Sequence, residues 1–203
     1  EIKRQGGSIS VLGMDNQKEE RKIKEQIGVV LDEGFFFIDM TSRDIAKVMR
    51  PLYRSWEDSL YSRYLREFRL PENKPIKEYS KGMKMKLSIA TALAHQPKLL
   101  ILDEATSGLD PVMRSEILDI FLDFIQEESC GKCTPCREGL YQACQLIDKF
   151  AASQGTEQDL QMLQSLFELM SKDCFCALGQ GALTAFVSAY ENFPEDFAER
   201  MVK

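Results

Sequence analysis

Cysteine is absent from the first 129 of 203 residues, and all six cysteines (Cys130, Cys133, Cys136, Cys144, Cys174 and Cys176) fall after them. So uneven a distribution excludes a disulfide framework spread over a secreted domain and fits a reducing compartment with a metal or cluster. A basic excess is missing too. Residues 1–128 carry a formal charge of −2 and residues 129–203 one of −4, and neither half has the surplus of cations expected of a nucleic-acid binder. The longest charge-free run, Cys174 to Tyr190, contains two Gly, Gln, Thr and Ser, so it is short and weakly apolar for a transmembrane segment and reads as a packed helix. No secretory signal opens the chain, and position 1 is Glu rather than Met, which points to a fragment. With 44% hydrophobic and 29% charged residues, the chain has the profile of one folded domain or two small ones, not of a disordered segment.

The twelve residues Glu128-Ser-Cys-Gly-Lys-Cys-Thr-Pro-Cys-Arg-Glu-Gly139 form a seam. Before them, the chain alternates apolar runs with helical patterns. Ser8 to Leu12 predicts a short strand ended by Gly13, and Ile27-Gly28-Val29-Val30-Leu31 predicts a strand buried on both faces of a parallel sheet. Thr41 with Asp44, and Ser55 with Asp58, predict capped helices, followed by Pro71 and Pro75. The aromatics Tyr61, Tyr64 and Phe68 recur at helical spacing and are assigned to packing. Tyr79-Ser80-Lys81-Gly82-Met83 then opens a helix reaching His95, and Leu99-Leu100-Ile101-Leu102 runs into Asp103-Glu104. Two carboxylates at the tip of a buried strand can hold Mg2+ and polarise a water for attack on a phosphoryl group. The turn Ser107-Gly108-Leu109-Asp110 follows, with Asp110 as N-cap and Pro111 as first residue of the next helix.

In these motifs, residues 1–128 resemble the later part of an ATP-binding cassette ATPase. Tyr79 to Met83 is similar to the family's signature loop, Leu99 to Glu104 to its Walker B strand, and Ser107 to Asp110 to its D-loop. The resemblance implies Asp103 for Mg2+, Glu104 as general base, Ser80 and Gly82 for γ-phosphate contact across a dimer, and Asp110 beside the nucleotide. Asp32 stands where the family places a Gln, Lys81 and Met83 where it usually has Gly and Gln. No G-x-x-x-x-G-K-[ST] loop occurs, and the family's switch His has no counterpart. His95, the one histidine, lies at a helix end and reads as structural.

After the seam, three cysteines at intervals of three can converge on one soft-metal or iron-sulfur centre. A cluster needs a fourth thiolate, and Cys144, Cys174 and Cys176 are the candidates. Cys144 falls on the face of Leu140, Ala143 and Ile147 and reads as a buried small hydrophobe. Cys174 competes with Cys176, since in an extended Cys174-Phe175-Cys176 both thiols share a side. A zinc site of four cysteines is the rival to a cluster, and the triple C-x-x-C-x-x-C spacing favours the cluster. Thr156 with Asp159 predicts a further capped helix, and the segments 181–190 and 195–202 two more.

Ser129 to Gly139, together with Cys176-Ala177-Leu178-Gly179, resembles the C-terminal cluster domain of the NADH-binding flavoprotein subunit of respiratory complex I and of NAD-linked hydrogenases. That resemblance implies a 4Fe-4S cluster held by Cys130, Cys133, Cys136 and Cys176 in a small helical bundle.

The fold expected is α/β, a partial P-loop NTPase cassette with a helical subdomain over 1–128, followed by a small all-α four-helix iron-sulfur domain over 129–203. The function implied is an incomplete ATP-binding subunit, inactive by itself, fused to an electron-transfer module with a 4Fe-4S cluster, ATP and Mg2+ binding being weak or absent. A second reading is an iron-sulfur or zinc-binding interaction protein with a degenerate ATPase half for docking. A third has the signature loop lent to a complete cassette in trans. The parent families imply as partners a membrane permease subunit, a cassette dimer partner and redox subunits of an NADH dehydrogenase or hydrogenase complex, without nucleic acid. They imply a cytoplasmic location, peripheral to the inner membrane through those subunits.

Overall fold

The computed structural model describes residues 6–31, 36–103, 109 and 111–202, with the side chains of 111 and 112 excepted. The chain forms two compact units that divide between Ser107 and Gly108.

The first unit opens with a hairpin in which β1 (Ser10–Val11) pairs antiparallel with β2 (Met14–Asp15). Gly13 turns it at φ +78°, the left-handed region that glycine enters without strain. Helix α1 (Glu20–Lys24) leads to β3 (Ile27–Leu31). β3 pairs in parallel with β4 (Leu99–Asp103), Val29 opposite Ile101 and Leu31 opposite Asp103. Three helices lie between these strands in sequence. In α2 (Ser42–Met49) the capping box read from Thr41 and Asp44 is present in both directions. Helix α3 (Asp58–Glu67) buries Tyr61, Tyr64 and Leu65, so the aromatics are core. The cap expected from Ser55 is not formed. Glu57 precedes that helix, and the Ser55 hydroxyl donates instead to the His95 carbonyl at 2.6 Å.

Helix α4 (Lys81–Leu93) is the hub of the unit. Leu87, Ile89 and Leu93 on it are almost wholly buried, and β3, whose Val30 is fully buried, lies against it at Gly28. A Cβ on Gly28 would come within 3.1 Å of the Ala92 carbonyl oxygen and 2.9 Å of Leu100 Cδ1, so only glycine lets strand and helix approach this closely. The other face of the strand pair is open: Val29, Leu99 and Ile101 are exposed. Among the described residues, the expectation of a strand buried on both faces is therefore met on one face.

The second unit is helical. It contains α5 (Pro111–Glu128), α6 (Thr134–Ala151), α7 (Glu157–Asp173), α8 (Ala177–Gly181), α9 (Thr184–Asn192) and α10 (Pro194–Ala198). Thr156 and Asp159 form the expected capping box on α7. One core joins Leu118 and Leu122 of α5 to Leu140, Ala143 and Ile147 of α6, Leu163 and Met170 of α7, and Phe186 and Phe197 beyond. Helix α5, assigned from its sequence to the first domain, thus packs with the helices that follow it. Its Arg114, 5% exposed, pairs with Asp196 of α10, donates to the Leu109 carbonyl at 2.9 Å and lies 3.5 Å from the Phe193 ring centroid.

Candidate metal centre

The seam folds as a tight loop running into the start of α6. Gly131 adopts φ +64°, and the loop is closed by Arg137, whose Nη1 donates to the Gly131 carbonyl at 3.1 Å. Gly131 N–H in turn donates to Ser129 Oγ at 3.3 Å, and that hydroxyl lies 3.3 Å from Cys136 Sγ. Cys133 occupies the N-cap of α6 with extended backbone, and Pro135 sits in the first turn, where its missing N–H costs nothing. Cys136 is thereby brought round beneath Cys133.

From the opposite side comes the end of α7. Cys174 caps it, its N–H donating to the Met170 carbonyl at 3.2 Å, and its thiol points inwards. The Sγ atoms of Cys133, Cys136 and Cys174 all lie within 4.8 Å of one another, and all three residues are buried. Cys130 and Cys176 are exposed and stand outside this group. The backbone of Cys174 and of Cys176 is extended, as read from the sequence, yet only the first thiol is turned into the trio. Cys144 lies partly buried on α6, its thiol 3.7 Å from Gln126 Oε1, apart from the others.

Electrostatics separates Cys133 from Cys174 and Cys144. The Phe175 amide, then the Cys136 amide, direct N–H groups at Cys133 and hold its thiol below the usual cysteine range. Burial first, and then the neighbouring Cys133 sulfur, push Cys174 up to about 12. Burial followed by Asp123 and Asp148 pushes Cys144 up to about 11, so it stays a neutral thiol.

Gly179 completes the wall of the pocket. A Cβ there would stand 2.7 Å from Cys174 Sγ and 3.3 Å from Cys136 Sγ, so the glycine of Cys-Ala-Leu-Gly leaves room for sulfur. The sequence marked that glycine only as part of a pattern, with no signal for what it faces. A soft, buried donor set of this kind fits an iron-sulfur cluster, and a 4Fe-4S cluster is its cofactor. Of the four cysteines expected as cluster ligands, Cys133 and Cys136 lie in the trio, while Cys130 and Cys176 are exposed and outside it.

The nucleotide-associated residues of the first unit are only partly placed. Ser80 caps α4, accepting from Met83 N–H at 3.2 Å, and Gly82 is buried in the first helical turn. Asp103 ends β4, exposed and beside Leu31. Glu104, Asp110 and Asp32 lie outside the described residues. His95 is 1% exposed, stacks on Tyr53 with ring centroids 4.0 Å apart, and places Nε2 3.1 Å from the Ile27 carbonyl. Burial holds its pKa below the ordinary histidine value, so the neutral ring donates there as a structural pin.

Comparison with known proteins separates the same two parts. Residues 1–107 match the ABC transporter family, and residues 116–200 match the NADH-ubiquinone oxidoreductase-F iron-sulfur binding region. The first match covers more than half of the chain, which therefore belongs to the ABC transporter family, with an iron-sulfur region of a second family joined to it. Its relatives divide likewise. The F subunit of NADH-quinone oxidoreductase from Streptomyces coelicolor is 37% identical over 99 residues, 49% of this chain and 21% of that protein. The HndC subunit of the NADP-reducing hydrogenase from Solidesulfovibrio fructosivorans is 36% identical over 81 residues, 40% of this chain and 16% of that protein. The ABC transporter ATP-binding protein YdbJ of Bacillus subtilis is 30% identical over 129 residues, 63% of this chain and 42% of that protein. The chain thus spans less than half the length of each of these relatives. Among the described residues, no helix is long and apolar enough to cross a membrane.

Proposed function

We propose that the second unit is a one-electron relay built on a 4Fe-4S cluster, carried by a chain whose cassette segment does not hydrolyse ATP by itself. The observation that carries the reading is the convergence of the buried Cys133 and Cys136 sulfurs, with that of Cys174, within 4.8 Å at the meeting of α6 and α7. Cys130, Cys133, Cys136 and Cys176 are the proposed cluster ligands. Thiolate ligation at the edge of an apolar helical bundle suits a centre that passes electrons without binding substrate.

The proposed partners are redox subunits of an NADH dehydrogenase or hydrogenase assembly for the helical unit. For the cassette part they are a permease and a second cassette. A cytoplasmic site at the inner membrane accommodates both. On this reading the small helical domain closes around the cluster as a four-helix bundle that includes α5, and the cassette part ends ahead of that helix. Asp103 and Glu104 would serve Mg2+ and the attacking water, with Ser80 and Gly82 offered to the γ-phosphate of a partner's nucleotide and Asp110 and Asp32 at its edge. No phosphate-wrapping loop of the G-x-x-x-x-G-K-[ST] type occurs between residues 1 and 203.

Anaerobic reconstitution of the full chain with iron and sulfide tests the reading. The expected product is brown, reducible by dithionite, and holds four irons and four sulfides per chain. A colourless protein overturns it. For the cassette part, Mg-ATP turnover that vanishes in Glu104→Gln would refute the assigned inactivity.

A further inference from the structure

We infer that Cys133, Cys136 and Cys174 form a binding site for one thiophilic divalent cation, such as zinc, in the cluster-free protein, with Cys174 as a ligand. This goes beyond the cluster reading and does not depend on it. The spacing of the sulfurs carries the inference. Tetrahedral thiolates on one zinc stand about 3.8 Å apart, from a Zn–S length of about 2.3 Å. The three sulfurs already lie within 4.8 Å of one another. In a 4Fe-4S cluster each cysteine is bound to its own iron at a separate corner, so the same thiolates must stand further apart than they do on a single ion. The group as folded is therefore drawn in towards the dimensions of one ion.

The wall around the sulfurs agrees. All three are buried, Cys174 being 3% exposed, and Gly179 leaves no room for a Cβ against Cys174 and Cys136. Ser129 Oγ sits 3.3 Å from Cys136 Sγ as a supporting hydrogen-bond partner. Cys176 and Cys130 are exposed and outside the trio, so the ligand set for the single ion differs from the one proposed for the cluster. Three thiols bind as thiolates, so each ion taken up releases three protons to solvent and leaves a site of net charge −1, with the fourth position open to water.

Cobalt(II) is the probe, titrated anaerobically into the full, reduced, chelator-treated chain, with zinc as competitor. The parent should bind one cobalt with a thiolate charge-transfer band, release three protons, and lose the band when zinc is added. Cys174→Ser should weaken binding ~100-fold or more, at least the loss that removing an outer-shell partner produces. Cys176→Ser and Cys130→Ser, which alter exposed residues, should bind as the parent does. The inference is overturned if Cys174→Ser, shown folded by circular dichroism, keeps the parent's affinity, or if Cys176→Ser loses as much. Should Cys174→Ser not fold, proton release and band intensity in the parent and in Cys176→Ser decide: fewer than three protons, or a band lost with Cys176, overturns it. A parent that binds cobalt this way yet forms no chromophore with iron and sulfide sustains the inference and removes the cluster reading. The opposite pair of results does the reverse.

Discussion

Gly179 lies directly under Cys174: a Cβ on the glycine would stand 2.7 Å from the cysteine's Sγ and 2.9 Å from its Cβ. The segment carrying Cys176 and the end of α7 are held together by this contact between a sulfur and a residue without a side chain.

Replacing Gly179 by alanine should therefore disturb the thiol pocket. The added methyl overpacks it, at a cost of about 1–3 kcal/mol. The expected result is a lower yield of cluster per chain after reconstitution, measured as iron content and visible absorbance, with helical circular dichroism retained.

Arg114 and Asp196 test how firmly α5 belongs to the second unit. Both side chains are largely buried, and each is the other's partner. Arg114→Ala leaves Asp196 as an uncompensated buried charge and opens the space over Phe193, a change expected to cost about 3–5 kcal/mol. Urea denaturation should show the helical unit destabilised by that amount.

Asp119 makes the stability of the same unit depend on pH. Burial, followed by Asp148 and Asp123, raises its pKa from 3.8 to about 6; Glu116 adds to the rise and Arg200 opposes it. The folded protein then holds a proton that the unfolded chain has released, so stability falls as pH rises from about 4 to about 6. Asp119→Asn should match the parent's stability below pH 4. At neutral pH it should exceed it by about 1–2 kcal/mol, since each tenfold change in proton affinity corresponds to ~1.4 kcal/mol and the partial solvation of the carboxyl reduces the sum. Thermal melts of both proteins at pH 4 and pH 7 provide the check.

His95→Ala should destabilise the first unit. It strips the Ile27 carbonyl of its donor and Tyr53 of its stacked ring. A loss of about 2–3 kcal/mol is expected, mostly from the orphaned carbonyl. Any residual ATP turnover should keep its pH profile, since among the described residues the histidine's ring meets Tyr53 and the Ile27 carbonyl, neither of them nucleotide-associated.

Local grammar made much of the fold legible. The capping boxes at Thr41 and Thr156 and the apolar runs of β3 and β4 sit where the sequence puts them. Ser55 misled because a hydroxyl three residues ahead of an acid has the cap's spacing, and the tertiary partner that takes it, the His95 carbonyl, is 40 residues away. Helix α5 misled for a related reason: its apolar face is visible in the sequence, but which core receives that face is decided by α6 and by Arg114 reaching α10. At the thiol pocket, spacing identified Cys133 and Cys136. The inward turn of Cys174 depends on where α7 stops, which periodicity does not fix to a single residue.

The parallel pairing of β3 with β4 has a consequence in time. Ile27 finds its strand partner only at Leu99, so at ~5–20 residues per second β3 waits about 4–14 s during synthesis for β4 to follow. Helix α4 and His95, whose imidazole meets the Ile27 carbonyl in the folded unit, are made just before β4. Until then a run of five residues with no charge among them stands unpaired beside the ribosome. This gives a nascent-chain chaperone its longest opportunity to bind before the strands close.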